Sequence, residues 1–473
     1  MIQTVSHTSE TVIECFLHLK KQVIINPNPD YEERISSLKK LEKNLLLYQT
    51  NIQIALRKDF NKPEFETDVT ETYTILMEIR YAIKNLKNWM RRTNVATPII
   101  LTGTNSYIEA CPKGIVLIIA PWNYPVNLSL GPLVSAIAAG NKIIIKPSEF
   151  SPYSSALIQE ICETSFTKDQ VQVIRGDANT SIELCRLAFN HIYFTGSSQT
   201  GKHVLKAAAE NLCPVTLELG GKCPVIIDST ANVDLAAESI ALAKGLNAGQ
   251  TCIAPDYAVI HESIKHIFIG KLNDWFEKLY GPNFLKNEDY CGIIHANHFD
   301  RIVSLAESSL TQNAMAYKPF QYDRGNLKIA PLILTDIDWS HKIMQEEIFG
   351  PVIPIISYKN ISDITTKLST LPRPLCQYIF SKDANFISQI MNNCASGGTT
   401  INQCLLNYCN IRLPFGGSME SGMGSGHGKY GFETFSHFKG ISIQSKWPST
   451  LRFFAPPYTT FKKRLKNYII KNV

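Results

Sequence analysis

Between Gly114 and Asn211 the chain alternates between short runs of β-branched apolar residues and stretches of helical spacing, and this feature limits the possible folds most strongly. GIVLIIA ends at Pro121, KIIIK at Pro147, VQVI at Arg175 and HIYFT at Gly196. Between and after them Asn127–Ala139, Tyr153–Ser165, Ser181–Phe189 and Thr200–Asn211 have helical spacing. Continuous apolar strands need cover on both faces. The pattern therefore predicts α/β architecture with a parallel sheet, doubly wound because crossovers are right-handed. Such sheets bind ligands at the carboxyl ends of their strands. That rule places Trp122, Asn123, Lys146, Glu149 and Gly196 to Gly201 on one rim.

Ile115 to Asn141 has no charged residue, long enough to suggest a membrane helix. Pro121, Pro125 and Pro132 divide it into strand, turn and helix instead, so no transmembrane span is expected. Upstream, Tyr31–Arg92 reads as amphipathic helices, with Ile35, Leu38, Leu41, Leu45 and Leu46 in helical register and Trp89 as core. Downstream of Leu217, PVII, YAVIH, PVIPIISY, QYIFS and TTIN predict a second α/β domain. Leu413–Gly440 is glycine-rich, and Gly440–Ser445 reads as a last strand. A chain of 473 residues, 44% hydrophobic and 19% charged, suits a globular protein of two or three domains.

The net charge of +6 hints at an anionic partner until it is located. Lys446–Val473 holds seven Lys/Arg and no Asp/Glu, so the body is near neutral and nucleic acid is not an expected partner. The tail alternates these charges with Leu451, Phe453, Phe454, Tyr458, Phe461, Leu465, Tyr468, Ile469 and Ile470. Two readings remain open for it: peripheral contact with an anionic membrane by Tyr458–Lys471, or an extended segment ending at Pro456-Pro457 and packed on the protein or a partner copy, with a short amphipathic helix after it. Twelve cysteines without a Cys-x-x-Cys pair suggest free thiols in a reducing compartment, hence the cytoplasm. Met1–Phe16 lacks the basic head and apolar core of a secretory signal.

Two fingerprints nearly match. Gly196-Ser-Ser-Gln-Thr-Gly201-Lys202-His203 imitates a P-loop, but His203 stands where a magnesium-binding hydroxyl is needed. Gly426-His-Gly428-Lys-Tyr-Gly431 has dinucleotide-fold spacing without a preceding strand, and reads as a loop. The Gly196 turn retains two readings, an ordinary βα turn or a phosphate site at a helix N-terminus. Lys146 and Glu149 are either a surface pair or a cation and carboxylate bonding a ribose. A carboxylate there would repel a 2′-phosphate, favouring NAD over NADP.

Chemistry centres on LELGGK and GQTC. Glu218 is a lone carboxylate in a strand-like apolar run, and Cys252 a thiol in a polar turn. Together they suit covalent catalysis if the fold unites them. Singly, Cys252 reads as an inert thiol, Glu218 as a bonded acid and Asn123 as a turn residue.

APWNYP, IIIKPSE, FTGSSQTGK, LELGGK, GQTC, EEIFGPV and LPFGG follow in the order and at about the spacing of the aldehyde dehydrogenase superfamily, which the chain resembles from roughly Tyr31 to Gly440. GQTCIAPDY and SGMGSGHGKYGFETFSH resemble the class 3 branch, which includes fatty-aldehyde enzymes. AAAENLCPVTLELGGK, PRPL and the QSKW end look closest to bacterial coniferyl aldehyde dehydrogenases. Where relatives read I-N-D-x-x-x-H, this chain has Gln403 and Asn407, a loss expected to bear on the substrate pocket.

The resemblance implies that Cys252 is the nucleophile, that Asn123 and the Cys252 backbone N–H hold the oxyanion, and that Glu218 activates the hydrolytic water. Glu347 and Phe349 match the nicotinamide-side ribose contact and ring-packing residue. Trp122, Lys146, Glu149, Gly196, Ser197 and Gly201 supply the rest of an NAD site, with NADP also admissible, and no metal is expected. It further implies a cofactor domain of residues 1–96 and 113–217, a catalytic domain of 218–401, bridging or oligomerisation segments at 97–112 and 402–445, and the tail at 446–473. The expected partners are an aldehyde of aromatic, hydroxycinnamyl or long-chain fatty type and a second copy of the chain. A catalytically silent relative is the rival reading, against which the joint presence of Cys252, Glu218 and Asn123 speaks.

Overall fold

A computed structural model describes residues 9–98, 101–444, 452 and 454–472. The start of the Met1–Phe16 segment, residues 99–100 of the expected arm, and Lys446, Trp447, Leu451 and Phe453 of the tail lie outside the described residues. The first sheet has six strands, in the order Gly422–Met423, Val215–Leu219, His191–Gly196, Ile115–Ile119, Lys142–Lys146 and Val171–Val173. All pair in parallel except Gly422–Met423, which is antiparallel to Val215–Leu219.

Successive strand residues point to opposite faces, and both faces are filled. Val116, Ile118, Ile143 and Ile145 pack with Leu38, Leu41, Leu130 and Leu133. Ile115, Leu117, Ile119 and Ile144 pack with Leu184, Val204 and the helix Ser9–Ile25, whose Val12, Phe16 and Leu19 close that side. Each fully buried Ile or Leu contributes about 1.5–3 kcal/mol. A strand buried on both sides therefore has no position for an exposed charge, which explains the charge-free runs.

The strand Ile115–Ile119 lies between Lys142–Lys146 and His191–Gly196, so the order of crossovers reverses beside it. The crevice at such a switch point opens where Trp122 and Ser197 follow their strands.

A seven-stranded sheet forms the second layer, in the order Met315–Ala316, Leu332–Thr335, Val352–Tyr358, Tyr257–His261, Pro224–Ile227, Cys376–Phe380 and Gly398–Ile401. It is parallel apart from its first edge strand. A third, antiparallel sheet joins Thr93–Val95, Thr104–Pro112 and Ser436–Gln444, in register from Ser436 opposite Pro112 to Gln444 opposite Thr104.

Several sequence expectations change. A domain boundary at 217/218 would cut through the strand Val215–Leu219, which carries Glu218 in the first sheet, and Gly422–Met423 from the 402–445 segment joins that sheet too. The last strand starts at Ser436, not Gly440. The Gly426–Gly431 loop turns into a helix at Gly428, which holds φ +47° with the Ile411 carbonyl 2.5 Å from where a β-carbon would sit. In the tail, Thr460–Asn472 is a helix. Its described side chains are exposed or half-buried, and none joins a core cluster.

Candidate active site

Cys252 follows a turn that local preferences alone would not form. Asn247, Ala248 and Gly249 hold φ of 53°, 50° and 73°, a left-handed run that needs tertiary support. Gln250 provides it from a fully buried position. Its Nε2 donates to the carbonyls of Asn247 and Gly292, each at 2.9 Å, and its Oε1 accepts from Ile294 N–H at 3.0 Å.

Asn123 is tied to the same turn. Its Nδ2 donates to Gln250 O at 3.1 Å, while Asn247 Nδ2 donates to the carbonyls of Asn123 and Gln250 at 2.9 and 3.0 Å. Behind them lies a buried ionic group from the N-terminal helices. Lys62 Nζ is 3.3 Å from Glu71 Oε1 and 4.0 Å from the centre of the Tyr124 ring; Glu71 accepts from Asn127 N–H, and Glu66 from Asn247 N–H. Lone Lys and Glu residues in and between helical segments read as solvated surface, so sequence reasoning missed Lys62, Glu66 and Glu71, and it assigned no role to Asn247 or to the Gln250 of GQTC.

Cys252 and Glu218 meet on one apolar cleft of about 1040 Å³, open mouth included, whose walls include Met77, Leu128, Tyr408 and Phe415. Burial pushes the half-buried Cys252 thiol well above its ordinary range, and the nearby Glu347 and Glu218 carboxyls add to the effect. Glu218 is raised well above the carboxylate range by desolvation, and no hydrogen bond of ordinary geometry reaches either oxygen. Tyr193, beside it on the adjacent strand, presents the hydroxyl that favours its ionised form.

Glu347, Phe349 and Trp122 form a second group of expected residues, with Glu347 near Cys252. Glu347 sits against Gly220 and is raised to about 8, by burial first and then by repulsion from Asp256. Phe349 holds φ +51° with its ring 5.4 Å from Trp122. Arg301 fixes this loop by donating to the carbonyls of Glu347 and Ile348 at 3.0 and 2.5 Å, and His298 Nε2 lies 2.9 Å from Phe349 O. Sequence reasoning did not single out either residue.

On the first-sheet rim, Lys146 Nζ lies 2.5 Å from Glu149 Oε2. Ser197 caps the helix Ser198–Ala209 by accepting from Thr200 N–H, and a β-carbon on Gly201 would lie 2.7 Å from Leu219. A helix N-terminus packed tightly on its strand, with a cation and a carboxylate beside it, fits the phosphates and ribose of a dinucleotide. Gln403 and Asn407 lie elsewhere. Gln403 contacts Ser239 Oγ and accepts from Cys404 N–H, while Asn407 Oδ1 lies 3.4 Å from Thr400 Oγ1. Neither is among the cleft-lining residues, although Asn407 directly precedes Tyr408, which is.

Comparison with known proteins agrees with this geometry. Residues 26–441 match the model of the aldehyde dehydrogenase family. The chain is 42% identical to the 4,4'-diaponeurosporen-aldehyde dehydrogenase of Staphylococcus aureus (strain NCTC 8325 / PS 47), covering 88% of this chain and 90% of the relative. It is 37% identical to aldehyde dehydrogenase family 3 member H1 of Arabidopsis thaliana, covering 93% and 91%. Among solved structures, the substrate-bound state of Staphylococcus aureus AldH superimposes with a TM-score of 0.94 at 40% identity, covering 97% of this chain and 99% of that one.

Proposed function

The chain belongs to the aldehyde dehydrogenase family and is an NAD(P)-dependent aldehyde dehydrogenase, and from that premise we propose how its own residues carry the reaction and which aldehyde it takes. The supporting observation is that Cys252 and Glu218 line one apolar cleft, with the Glu347 carboxyl near enough to the thiol to raise its pKa. The Cys252 thiol gives up its proton to solvent, and the thiolate Sγ attacks the aldehyde carbon. A C–S bond forms, and the carbonyl π pair moves onto oxygen. Asn123 Nδ2, steadied by its bond to Gln250 O, and the Cys252 backbone N–H donate to that oxyanion.

When bound, NAD(P) supplies the two-electron acceptor for the hydride that leaves the aldehyde carbon. Lys146, Glu149, Gly196, Ser197 and Gly201 hold its adenosine and phosphate side, and Trp122, Glu347 and Phe349 its nicotinamide side. Glu149 favours NAD over NADP by repelling a 2′-phosphate. A thioester remains on Cys252. Glu218 takes a proton from water as the water oxygen adds to the thioester carbon, and the C–S bond breaks to release acid and thiolate.

The substrate body is hydroxycinnamyl, as in coniferyl aldehyde, a shape suited to the Met77, Leu128, Tyr408 and Phe415 walls. A medium- or long-chain fatty aldehyde is the second reading, which the same apolar walls admit. The protein acts in the cytoplasm as a homodimer joined through the Thr104–Pro112 and Ser436–Gln444 ribbon, where Phe438 and Ile443 are about half exposed. Steady-state oxidation of cinnamyl, benzyl and C6 to C16 aldehydes with both cofactors tests the assignment. Cys252→Ser should abolish turnover while the fold is kept, whereas an active Cys252→Ser refutes the nucleophile.

A further inference from the structure

The apolar cleft above Cys252 has a polar break that the reaction does not use. Glu78, from the helix Tyr73–Trp89, and His427, preceding the helix Gly428–Thr434, both line it. Glu78 Oε2 accepts from Gly428 N–H at 3.0 Å. Its Oε1 has no hydrogen-bond partner and is shut off from solvent, and the same holds for His427 Nδ1. The two atoms stand 3.9 Å apart, too far for a hydrogen bond with each other.

The gap is held open from the histidine side. The His427 ring stacks on Phe415 at 5.1 Å and 17°, and Tyr408 meets its face at 4.7 Å and 77°. Tyr408 is itself fixed by Asn127 Nδ2, which donates to its hydroxyl at 2.7 Å. Burial lowers His427 to about 4 and raises Glu78 to about 7, so the imidazole is neutral near pH 7 and the gap is not a stretched ion pair. Buried polar atoms without partners are uncommon, and two facing each other in a ligand channel point to a ligand atom.

We propose that Glu78 and His427 form a recognition site for a hydroxyl group at the far end of the aldehyde substrate, the hydroxyl donating to Glu78 Oε1 and accepting from His427 Nδ1–H. Their separation would suit one oxygen about 2.8 Å from each, with the two bonds meeting at about 90°, once substrate entry parts the side chains that close both atoms from solvent. The preferred substrate class is then an aldehyde with an elongated apolar body and a distal hydroxyl; a 4-hydroxycinnamyl aldehyde is one such compound. The inference rests on the reading of this cleft as the aldehyde channel to Cys252. A channel with buried polar groups discriminates against the analogue lacking the hydroxyl, because that analogue leaves both groups unpaired.

The test measures kcat/KM for matched aldehydes that differ only in the distal hydroxyl: 4-hydroxycinnamaldehyde against cinnamaldehyde, and ω-hydroxyalkanals against alkanals from C6 to C16. At least one hydroxylated member should be preferred by about ten-fold or more in the unaltered enzyme. The length at which preference peaks reports the distance from Cys252. In Glu78→Leu and in His427→Phe the ratio within that pair should fall toward one. Equal kcat/KM across every pair in the unaltered enzyme overturns the inference and leaves the aldehyde dehydrogenase reading intact, and this comparison needs no variant to fold. A ratio unchanged in folded variants also overturns it. Failure to oxidise any of these aldehydes removes the channel reading on which it rests.

Discussion

Replacing Gln250 by alanine should damage both stability and catalysis. The substitution strips the side-chain partner from the buried Ile294 N–H and one of two partners from the Asn247 and Gly292 carbonyls, which keep the Gln250 backbone N–H at 3.0 Å and the Cys291 thiol at 3.3 Å. A buried group left unsatisfied costs about 1–3 kcal/mol and an ordinary hydrogen bond lost about 1 kcal/mol. Relaxation and entry of water recover part of this, so a net loss of about 2–4 kcal/mol is expected. For a melting unit of about 200 residues, 1 kcal/mol moves Tm by about 2–4 °C, so the drop should reach at least about 4 °C. Gln250→Glu should be no better. Its second oxygen would face the Asn247 and Gly292 carbonyls, which accept and cannot donate, and burial penalises the charged carboxylate. Catalysis falls with stability because a loosened turn displaces the Gln250 backbone carbonyl, which anchors both Asn123 and Asn247. The assays are thermal melting by circular dichroism and the pre-steady-state burst of reduced cofactor at a temperature where both proteins are folded. A Gln250→Ala enzyme melting within about 1 °C of the parent, with an unchanged burst rate, would refute the assignment of the turn's support to this side chain.

Glu218→Gln should form the thioester and stall there, seen as an acyl adduct on Cys252 by mass spectrometry; steady turnover contradicts the base role. Asn123→Ala should lose about 10²–10³ in kcat with little change in cofactor affinity, and a loss under about five-fold removes it from the oxyanion site. Because burial raises Glu218 and deacylation needs its carboxylate, kcat should climb with pH through that raised pKa; Tyr193→Phe, lacking the hydroxyl that favours the anion, should move the acid limb to still higher pH. Superimposable pH profiles would exclude Tyr193 from this role. Co-sedimentation with anionic vesicles separates the two readings of the tail that carries the helix Thr460–Asn472: salt-sensitive binding that disappears in a chain ending at Ser445 supports membrane contact, and absence of binding by the full chain eliminates it.

The order of strands and helices from Gly114 to Asn211 was legible because it rests on local periodicity: Ile115–Ile119 and Lys142–Lys146 are buried on both faces, and only β-branched apolar runs satisfy that. The rim was legible too, since residues following a parallel strand fall on its carboxyl end whatever the remaining chain does. Cys252 and Glu218 stood out as a chemical pair, by residue type and by motif. Their meeting on one cleft was decided by tertiary packing, because one follows a turn beside the second sheet while the other belongs to a strand of the first. Lys62, Glu66, Glu71 and Glu78 carried no local signal of burial; a charge in an amphipathic helix looks the same whether its partner is water or a residue hundreds of positions away. Gly428, whose N–H meets Glu78, is 350 residues distant. Gln403 and Asn407 show the converse: their place in a motif gave no indication of their partners, which are Ser239 and Cys404 for the first and Thr400 for the second. Spacing along a chain specifies which chemistry is present, whereas the direction of a side chain is set by what packs behind its backbone.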